Sequence, residues 1–331
     1  MNPTNSMNPM NPTNPMNPRK LVLSSAPHLH EGASIKRDMY IVILALLFPT
    51  AGAVYFFGAY VLLMLATALL CAILTEYVAK WMRRRPFYMD GSAIITAILF
   101  VLVMPPRTPL WIVAIGSIFC IAVAKEMFGG LGQNIFNPAL AGRAFASISF
   151  AGALTRWITP VTSFMADGVT TATPLSESFA TTLSRGELYR ALFFGNVSGS
   201  VGETSALLIL VGGVILLAFG LIKWQVPVFY IGTVALLSFL LGQDPLFQIL
   251  AGGLMLGAFF MATDYVTSPL TTGGKIIFAV GAGVLVVLIR TWGSMPEGVC
   301  YSILLMNAFT PLIDRYVRPK PYGYVKSRER G

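Results

Sequence analysis

The chain has 331 residues, of which 55% are hydrophobic and only 11% are charged, whereas a soluble domain carries about 25% charged residues. Residues 39–75 run for 37 positions without Asp, Glu, Lys or Arg, and about 20 apolar residues are enough to cross a bilayer. The composition therefore argues against a soluble globular protein. It also leaves too little continuous polar sequence for a large extramembrane enzyme domain.

The chain begins with a low-complexity segment and continues into the long apolar run. Residues 1–20 consist mainly of repeated Asn, Pro and Met. Because this composition cannot bury a core, we predict a disordered tail. The run from Met39 to Val78 is too long for one span at about 1.5 Å per residue, and it is long enough for two. We predict a helical hairpin that turns near Gly58.

The rest of the chain alternates apolar runs with short polar connections. This pattern predicts an all-α polytopic membrane protein with about ten transmembrane helices. After the hairpin, eight further spans are expected at about residues 91–106, 109–127, 136–153, 203–222, 226–242, 246–263, 275–291 and 297–313. The predicted organisation after the tail is a first membrane half at 21–154, a connecting loop at 155–202, a second half at 203–313 and a basic tail at 314–331.

Positive charge indicates how these spans are oriented. The chain carries 23 Lys and Arg against 14 Asp and Glu, a net charge of +9. With the N-terminus inside, 17 of the 23 basic residues fall on cytoplasmic segments and five on outer connections, as expected from the basic bias of cytoplasmic loops. The charge therefore reflects topology, and we expect no nucleic-acid partner. Both termini are predicted to be cytoplasmic in a bacterial inner membrane, with loop 155–202 on the outer side.

The two halves show weak internal similarity. A shift of 164 residues superposes Pro105 on Pro269, Gly129 on Gly293, and Ala144-Phe145 on Ala308-Phe309. Five spans in each half would make the halves inverted repeats, as in many transporters. Chance identity in an apolar background is the alternative.

Cysteine and histidine offer little for a metal or cluster. Cys71, Cys120 and Cys300 lie far apart in apolar stretches, so they form no ready iron–sulfur or zinc framework. We expect them to be small buried hydrophobic residues. His28 and His30 form an isolated pair without further ligands, and we expect both to be solvated. Any redox cofactor must be held in another way.

The predicted outer loop contains the segment DGVTTATPL at Asp167–Leu175. Thr173 followed by Pro174 is typical of a helix N-cap with proline at the first helical position, so we predict a helix to about Leu183. Such a helix start presents free N–H groups and the positive end of the helix dipole, which would bind a phosphate well. The alternative is a threonine that only caps the helix.

This loop resembles the flavinylation motif Ser/Thr-Gly-Ala-Thr of membrane flavoproteins in the Rnf and sodium-pumping NADH:quinone oxidoreductase complexes. In that motif the last threonine carries FMN through a phosphoester bond. The matching residues are Thr170, Thr171, Ala172 and Thr173, so the resemblance implies covalent FMN on Thr173. Asp167 and Gly168, which precede the motif, are further candidate contacts. Thr171 departs from the motif because the family has glycine there, which permits a closer approach.

Four other segments resemble the D subunit of the Rnf complex, and the resemblance covers residues 21–322. They are Ser25–His28, Asp90–Ala93, Gly129–Ala139 and Asn307–Asp314. The B subunit of the sodium pump is the alternative, but it has a longer N-terminal region than this chain.

The resemblance implies a flavin-bearing electron carrier in a six-subunit complex. That complex moves electrons between ferredoxin and NAD, coupled to Na+ or H+ transport. The implied partners are the other Rnf subunits, above all the other flavinylated subunit, and a separate flavin transferase that attaches FMN. A second, noncovalent flavin (riboflavin or FMN) is also implied by the sodium-pump relative. The chain is not expected to catalyse alone.

Several polar residues in or near the predicted spans have more than one interpretation. Arg143 should line a cavity or meet a partner: it either pairs with Glu126 or a backbone carbonyl, or contacts flavin or the ion path. Asp264 could hold a coupling cation or cap a helix, and Glu76 is expected at the membrane interface. The glycine-rich Gly129–Gly132 lacks the ending of a phosphate loop, so we expect a turn and re-entrant segment there.

Two other classes of function stay open on the sequence alone. The weak repeat and the polar residues at mid-membrane would also suit a channel or small-solute transporter. A scaffold that only stabilises partner subunits is the third alternative.

Overall fold

The computed structural model describes residues 35–154, 184–195, 197–293 and 298–318. These residues form α-helices and no strand, and two of the helices continue as short π-helices. The helices are α1 (Ile35–Phe57), α2 (Tyr60–Met82), α3 (Ser92–Leu102), α4 (Leu110–Ile121) with the first π-segment (Ala122–Glu126), α5 (Pro138–Ser149), α6 (Ala151–Leu154), α7 (Arg185–Phe194), α8 (Ala206–Ala218), α9 (Gln225–Leu240), α10 (Pro245–Leu250), α11 (Leu254–Leu256) with the second π-segment (Gly257–Met261), α12 (Thr272–Trp292) and α13 (Gly298–Tyr316).

Within these described ranges, α1, α2 and α12 are long and apolar enough to cross a membrane. Three shorter apolar helices, α3, α8 and α9, pack among them. The prediction of a mainly helical membrane protein is therefore confirmed. The predicted hairpin is confirmed as well, because α1 ends at Phe57, α2 begins at Tyr60, and the turn lies at Gly58.

The span predicted at 246–263 is not one continuous helix. It consists of α10, an irregular stretch, α11 and the second π-segment. Gly252 and Gly253 both have a φ of 68°, a left-handed conformation that cannot continue a right-handed helix and that glycine adopts without steric cost. α3 is also shorter than its predicted span, because it ends at Leu102 and an irregular segment leads to α4.

The backbone groups at these helix ends are paired inside the protein. Beyond α3, the carbonyls of Leu102 and Met104 accept hydrogen bonds from the N–H groups of Gly202 (2.7 Å) and Val201 (3.0 Å). The short segment before α8 therefore satisfies the end of α3. This matters because an unpaired backbone group away from water costs several kcal/mol.

Arg290 of α12 pairs the backbone carbonyls at the break after α10. Its Nη1 donates to the carbonyl and the side-chain oxygen of Gln248 at 2.6 and 3.0 Å, and its Nη2 donates to the carbonyls of Ala251 and Gly252, both at 2.9 Å. A single guanidinium thus holds the three carbonyls at which the helix is interrupted. From the sequence, Arg290 is only one of the five basic residues on the predicted outer connections.

The helices pack as two groups that meet along α1 and α8 and along α5 and α13. In the first group α2 packs against α3 and α4, and α4 packs against α5. In the second group α9 packs against α12, and α12 packs against α13. Small residues permit the closest crossings, since a Cβ at Gly142 would lie 3.2 Å from the Gly116 carbonyl and one at Gly212 would lie 2.5 Å from the Ala45 carbonyl.

The connection predicted at 155–202 contains a helix in its described part. α7 begins with a capping box in which Ser184 and Glu187 bond reciprocally. The Tyr189 hydroxyl donates to the Asp244 carboxylate at the start of α10, and this hydrogen bond lowers the pKa of Asp244. This hydrogen bond therefore joins α7 to the connection between α9 and α10. The Asp167–Thr173 segment lies outside the described residues, as do residues 1–20, His28 and His30.

The role assigned to Arg290 can be tested by substitution. Arg290→Gln removes most of the donors to three carbonyls, and we expect a loss of stability of about 3 kcal/mol. Arg290→Lys should lose somewhat less stability, because its ammonium can still donate to part of this set of acceptors, although it cannot span all of them. Thermal unfolding of the purified protein in detergent measures both, with the exposed Arg190→Gln as control. If Arg290→Gln and the control unfold at the same temperature, Arg290 does not have this role.

Candidate functional site

A cavity of about 110 Å³ lies where α1, α3, α5, α8 and the second π-segment approach one another. Its walls are mostly apolar, with side chains such as Val42, Leu99 and Phe260. Its polar lining residues are Ser92, Thr96, Lys125, Asn134, Asn137, Thr263 and Asp264. We call this space the central cavity. An apolar space with a few convergent polar groups is the usual form of a small-molecule site.

Asn137 organises one side of the central cavity. Its Oδ1 accepts hydrogen bonds from the N–H groups of Ala139 and Leu140, which caps α5, and Pro138 occupies the first helical position. Its Nδ2 donates to the carbonyl of Met261 at 3.4 Å. The side chain therefore ties the start of α5 to the end of the second π-segment. Asn134, also buried, donates to the carbonyl of Phe136.

A line of hydrogen-bonded polar groups borders the cavity at the start of α3. The Lys125 ammonium, 2% exposed, donates to Glu76 Oε1 at 3.1 Å and to the Ser92 hydroxyl at 2.6 Å. Ser92 in turn donates to Asp90, and Lys80 pairs with Glu76 at 2.7 Å. Each charge in this line has an opposite charge or a dipole beside it, which is the condition for burying ions without a large penalty.

Helix geometry explains why α2 contributes so many of these groups. Glu76, Lys80 and Arg83 are separated by four and three positions and share one helix face. Opposite them, the first π-segment carries Lys125 and Glu126. Lys125 pairs with Glu76, and Glu126 pairs with Arg83. These two ion pairs join α2 to the end of α4. Glu76 is therefore a buried ion-pair partner, and its place at the membrane interface stays a prediction.

Asp90, in the connection before α3, is the one ionisable group of this line outside the helices. Partial burial would raise the pKa of this carboxyl. Hydrogen bonds from the hydroxyl and N–H of Ser92, together with the positive charges of Lys125 and Lys80, instead bring its pKa below the usual range. Asp90 is therefore ionised at neutral pH, and it balances part of the positive charge at the start of α3.

Arg143 is buried in α5, as the sequence analysis expected for a charge within a span. Its Nη1 lies 3.6 Å from Sδ of Met104, in the irregular segment after α3. Glu126, one of the partners considered for Arg143, pairs with Arg83. Arg143 does not line the central cavity.

Asp264 lines the cavity and also closes a local turn. Its Oδ1 accepts from the N–H of Val266 at 3.3 Å, and its Oδ2 accepts from the Thr267 hydroxyl at 3.1 Å. These bonds support the capping interpretation. Among the described residues no cluster of three or more His, Cys, Asp or Glu side chains could hold a metal ion. Cys120 and Cys300 are buried free thiols, and Cys71 is partly buried, as expected.

Three segments that are distant in sequence therefore meet at or beside the central cavity. Ser92 comes from the segment Asp90–Ala93, and Asn134 and Asn137 come from Gly129–Ala139. From the segment Asn307–Asp314, Asn307 packs with its side-chain amide beside the N–H of Asn137. The role of Lys125 was not predicted from the sequence. A lone lysine next to Glu126 at a helix end gave no signal of burial, because such residues are usually solvated.

Comparison with known proteins places this arrangement in a family. The model of the NQR2, RnfD, RnfE family matches residues 22–323. The chain belongs to this family. All four segments that resemble Rnf D subunits lie within the match, and the three that fall in the described residues meet at or beside the central cavity.

Relatives from other bacteria are similar to this chain over nearly their whole length. The D subunit of a proton-translocating ferredoxin:NAD(+) oxidoreductase complex from Clostridium ljungdahlii is 46% identical over 317 residues, which cover 91% of this chain and 96% of that protein. The D subunit of a Na(+)-translocating ferredoxin:NAD(+) oxidoreductase complex from Acetobacterium woodii is 44% identical over 93% of this chain and 97% of that protein.

A third relative extends the similarity to another bacterium. The D subunit of an ion-translocating oxidoreductase complex from Stutzerimonas stutzeri is 39% identical over 88% of this chain and 93% of that protein. All three relatives are D subunits of their complexes, which agrees with the preferred interpretation of the sequence.

The buried pair between Lys125 and Glu76 yields a stability prediction. Lys125→Met leaves Glu76 with Lys80 alone, and breaking a buried pair costs about 3–5 kcal/mol. The double variant Lys125→Met with Glu76→Gln should recover part of this loss, because no uncompensated charge stays buried. Thermal unfolding measures both, with the exposed Lys36→Met as control. If Lys125→Met unfolds at the same temperature as the control, the pair does not stabilise the fold.

Proposed function

We propose that this chain is the D-type membrane subunit of a complex that transfers electrons between ferredoxin and NAD and couples the transfer to Na+ or H+ translocation. Membership of the family and similarity to the D subunits of two such complexes over more than 90% of the chain support this function. The partners are the other subunits of that complex, above all the other flavinylated subunit. The chain acts within the assembly, and its own residues bind and position the redox group.

The proposed attachment site of FMN is Thr173. The support is the segment Thr170–Thr173, which resembles the flavinylation motif, and the predicted helix start at Pro174. A phosphoester bond would join the threonine hydroxyl to the FMN phosphate, and a separate flavin transferase would form it. Asp167 and Gly168 would flank the attached phosphate. The bound flavin would supply one-electron and two-electron redox chemistry, which the described side chains lack.

We place the proposed second, noncovalent flavin at the central cavity. The apolar walls suit an aromatic ring system, and the Asn134 amide and the Lys125 ammonium are donors of the kind that bind ring carbonyl and nitrogen atoms. The volume of about 110 Å³ is below the roughly 300 Å³ at which ligand pockets begin. Side chains such as the exposed Leu131 must therefore move for the ring to enter. Arg143, which lies outside this lining, is not part of the proposed site.

We further propose ten spans arranged as two inverted five-helix repeats. The helices of the first half would be α1, α2, α3, α4 and α5 with α6; those of the second would be α8, α9, α10 with α11, α12 and α13. The third helix of each half contains a left-handed glycine at a helix start: Gly91 precedes the short α3, and Gly253 precedes α11, the second part of its counterpart. The matching pairs α1 with α8 and α5 with α13 contact each other across the two groups. With both termini cytoplasmic in the inner membrane, the connection at 155–202 lies outside.

Flavin attachment is tested by mass and fluorescence. Protein produced with a flavin transferase should gain the mass of one FMN and fluoresce in a denaturing gel. Thr173→Ala should lose both signals completely, because no hydroxyl is left for the phosphoester. Thr182→Ala, a matched change in the same loop but outside the motif, should keep the label. Fluorescent Thr173→Ala protein would exclude Thr173 as the acceptor.

The second flavin is tested by the flavin that denaturation releases. Acid precipitation of the purified chain should release about one noncovalent flavin per protein and leave the covalent flavin in the pellet. Asn134→Ala should lower the released fraction and leave the pellet fraction unchanged. The change spares the Asn137 cap, so the helix start of α5 is intact. If the wild-type protein releases no flavin, the central cavity is not a flavin site.

The orientation is tested with a reporter that is active on one side of the membrane only. A periplasmic reporter fused after Arg190 in α7 should be active, and the same reporter fused after Lys223 between α8 and α9 should be inactive. The reasoning is the basic bias of cytoplasmic segments. The reverse pattern would overturn the proposed topology.

A further inference from the structure

A second cavity, of about 350 Å³, opens between the first turn of α1, the connection between α8 and α9, and the segment that precedes α12. It is separate from the charged groups Glu76, Lys80 and Lys125 described above. Lys223, Lys275 and Asp38 line it, together with the buried Ser268. We call it the headgroup cavity. None of its charged residues has a role in the proposed electron transfer.

The two lysines line the same cavity. Their like charges repel, and Asp314 attracts Lys275. Within the described ranges neither lysine forms an ion pair or a hydrogen bond, whereas Lys80 and Lys125 both do. Two neighbouring cations that line one cavity with a buried hydroxyl form a site for a phosphate group.

Asp38 restricts which phosphate compounds would be suitable. A carboxylate on the same wall repels a ligand that is only anionic, and it attracts a ligand that also carries an ammonium group. The charge pattern therefore matches a zwitterion, with a phosphate on Lys223 and Lys275 and an ammonium on Asp38. A primary ammonium, with its three N–H donors, suits a carboxylate better than a quaternary one without donors.

The rim of the headgroup cavity is apolar and exposed. Leu270, which lines the cavity, is 81% exposed, and Trp224, next to Lys223, is 55% exposed. Tryptophan beside basic residues is typical of the membrane–water interface. A soluble phosphate compound has no apolar part that would contact this rim, whereas the acyl chains of a lipid would pack against it.

We propose that the headgroup cavity binds the headgroup of a phospholipid with a primary ammonium, such as phosphatidylethanolamine. Lys223, Lys275 and the Ser268 hydroxyl would bind the phosphate, and Asp38 would bind the ammonium. The proposed topology puts this lipid in the cytoplasmic leaflet. The binding itself does not depend on that topology, nor on the flavin sites.

Native mass spectrometry of the purified full chain tests the proposal. The protein is titrated with phosphatidylethanolamine, phosphatidylglycerol and phosphatidylcholine that carry the same acyl chains. We expect phosphatidylethanolamine to be retained most strongly. The double variant Lys223→Gln/Lys275→Gln should lower the retention of phosphatidylethanolamine by about tenfold. The double variant Lys223→Arg/Lys275→Arg should still retain this lipid, and its binding shows that substitution at these two positions leaves the cavity folded. Asp38→Asn should abolish the preference over phosphatidylglycerol.

The exposed Arg315→Gln, a charge change outside the cavity, serves as control and should bind like the wild type. Equal retention of the three lipids by the wild type would overturn the proposal, and so would unchanged retention by the Lys223→Gln/Lys275→Gln variant. Competition with inorganic phosphate is the last measurement. If phosphate alone displaces phosphatidylethanolamine completely at equal concentration, the site binds free phosphate and the lipid assignment is wrong.

Discussion

The constraint on which this fold depends is that interrupted helices must satisfy their backbone groups away from water. Two helices stop short, α3 at Leu102 and α10 at Leu250. The carbonyls beyond α3 are bound by the N–H groups of residues 201–202, and those beyond α10 are bound by Arg290. In both places the partner comes from far along the chain. The interruptions are therefore stable only in the complete tertiary structure.

The interruptions also create the space in which chemistry is proposed. The short α3 and the second π-segment, which follows the α10–α11 break, both line the central cavity. Asn137 and Lys125 bind the elements around that space. Their hydrogen bonds reach Met261, Glu76 and Ser92. The same contacts that hold the helices in register thus place polar groups beside an apolar cavity, which combines stability with a candidate binding site.

Much of the architecture could be predicted from the sequence, because it follows from local patterns. The hairpin at Gly58 and the buried character of Arg143 depend on length and hydropathy. The partners of charged residues could not be predicted. Glu126 was one of several partners considered for Arg143, and it binds Arg83, because pairing depends on which helix faces meet. Nor did hydropathy indicate the break at Gly252-Gly253, since an apolar run looks the same whether its helix is continuous or interrupted.

The sequence by itself determined the class of protein, a helical membrane protein, together with the family and its motif segments. These properties depend on composition and on short runs of residues, which keep their meaning without the fold. The tertiary structure alone decided which segments meet. Ser92, Asn134 and Asn307 are separated by up to about 200 positions and lie at or beside one cavity, and Lys223 and Lys275 share another with Asp38. The physical reason is that burial and charge pairing are properties of packed surfaces, and a surface is formed by helices that the chain order does not place side by side.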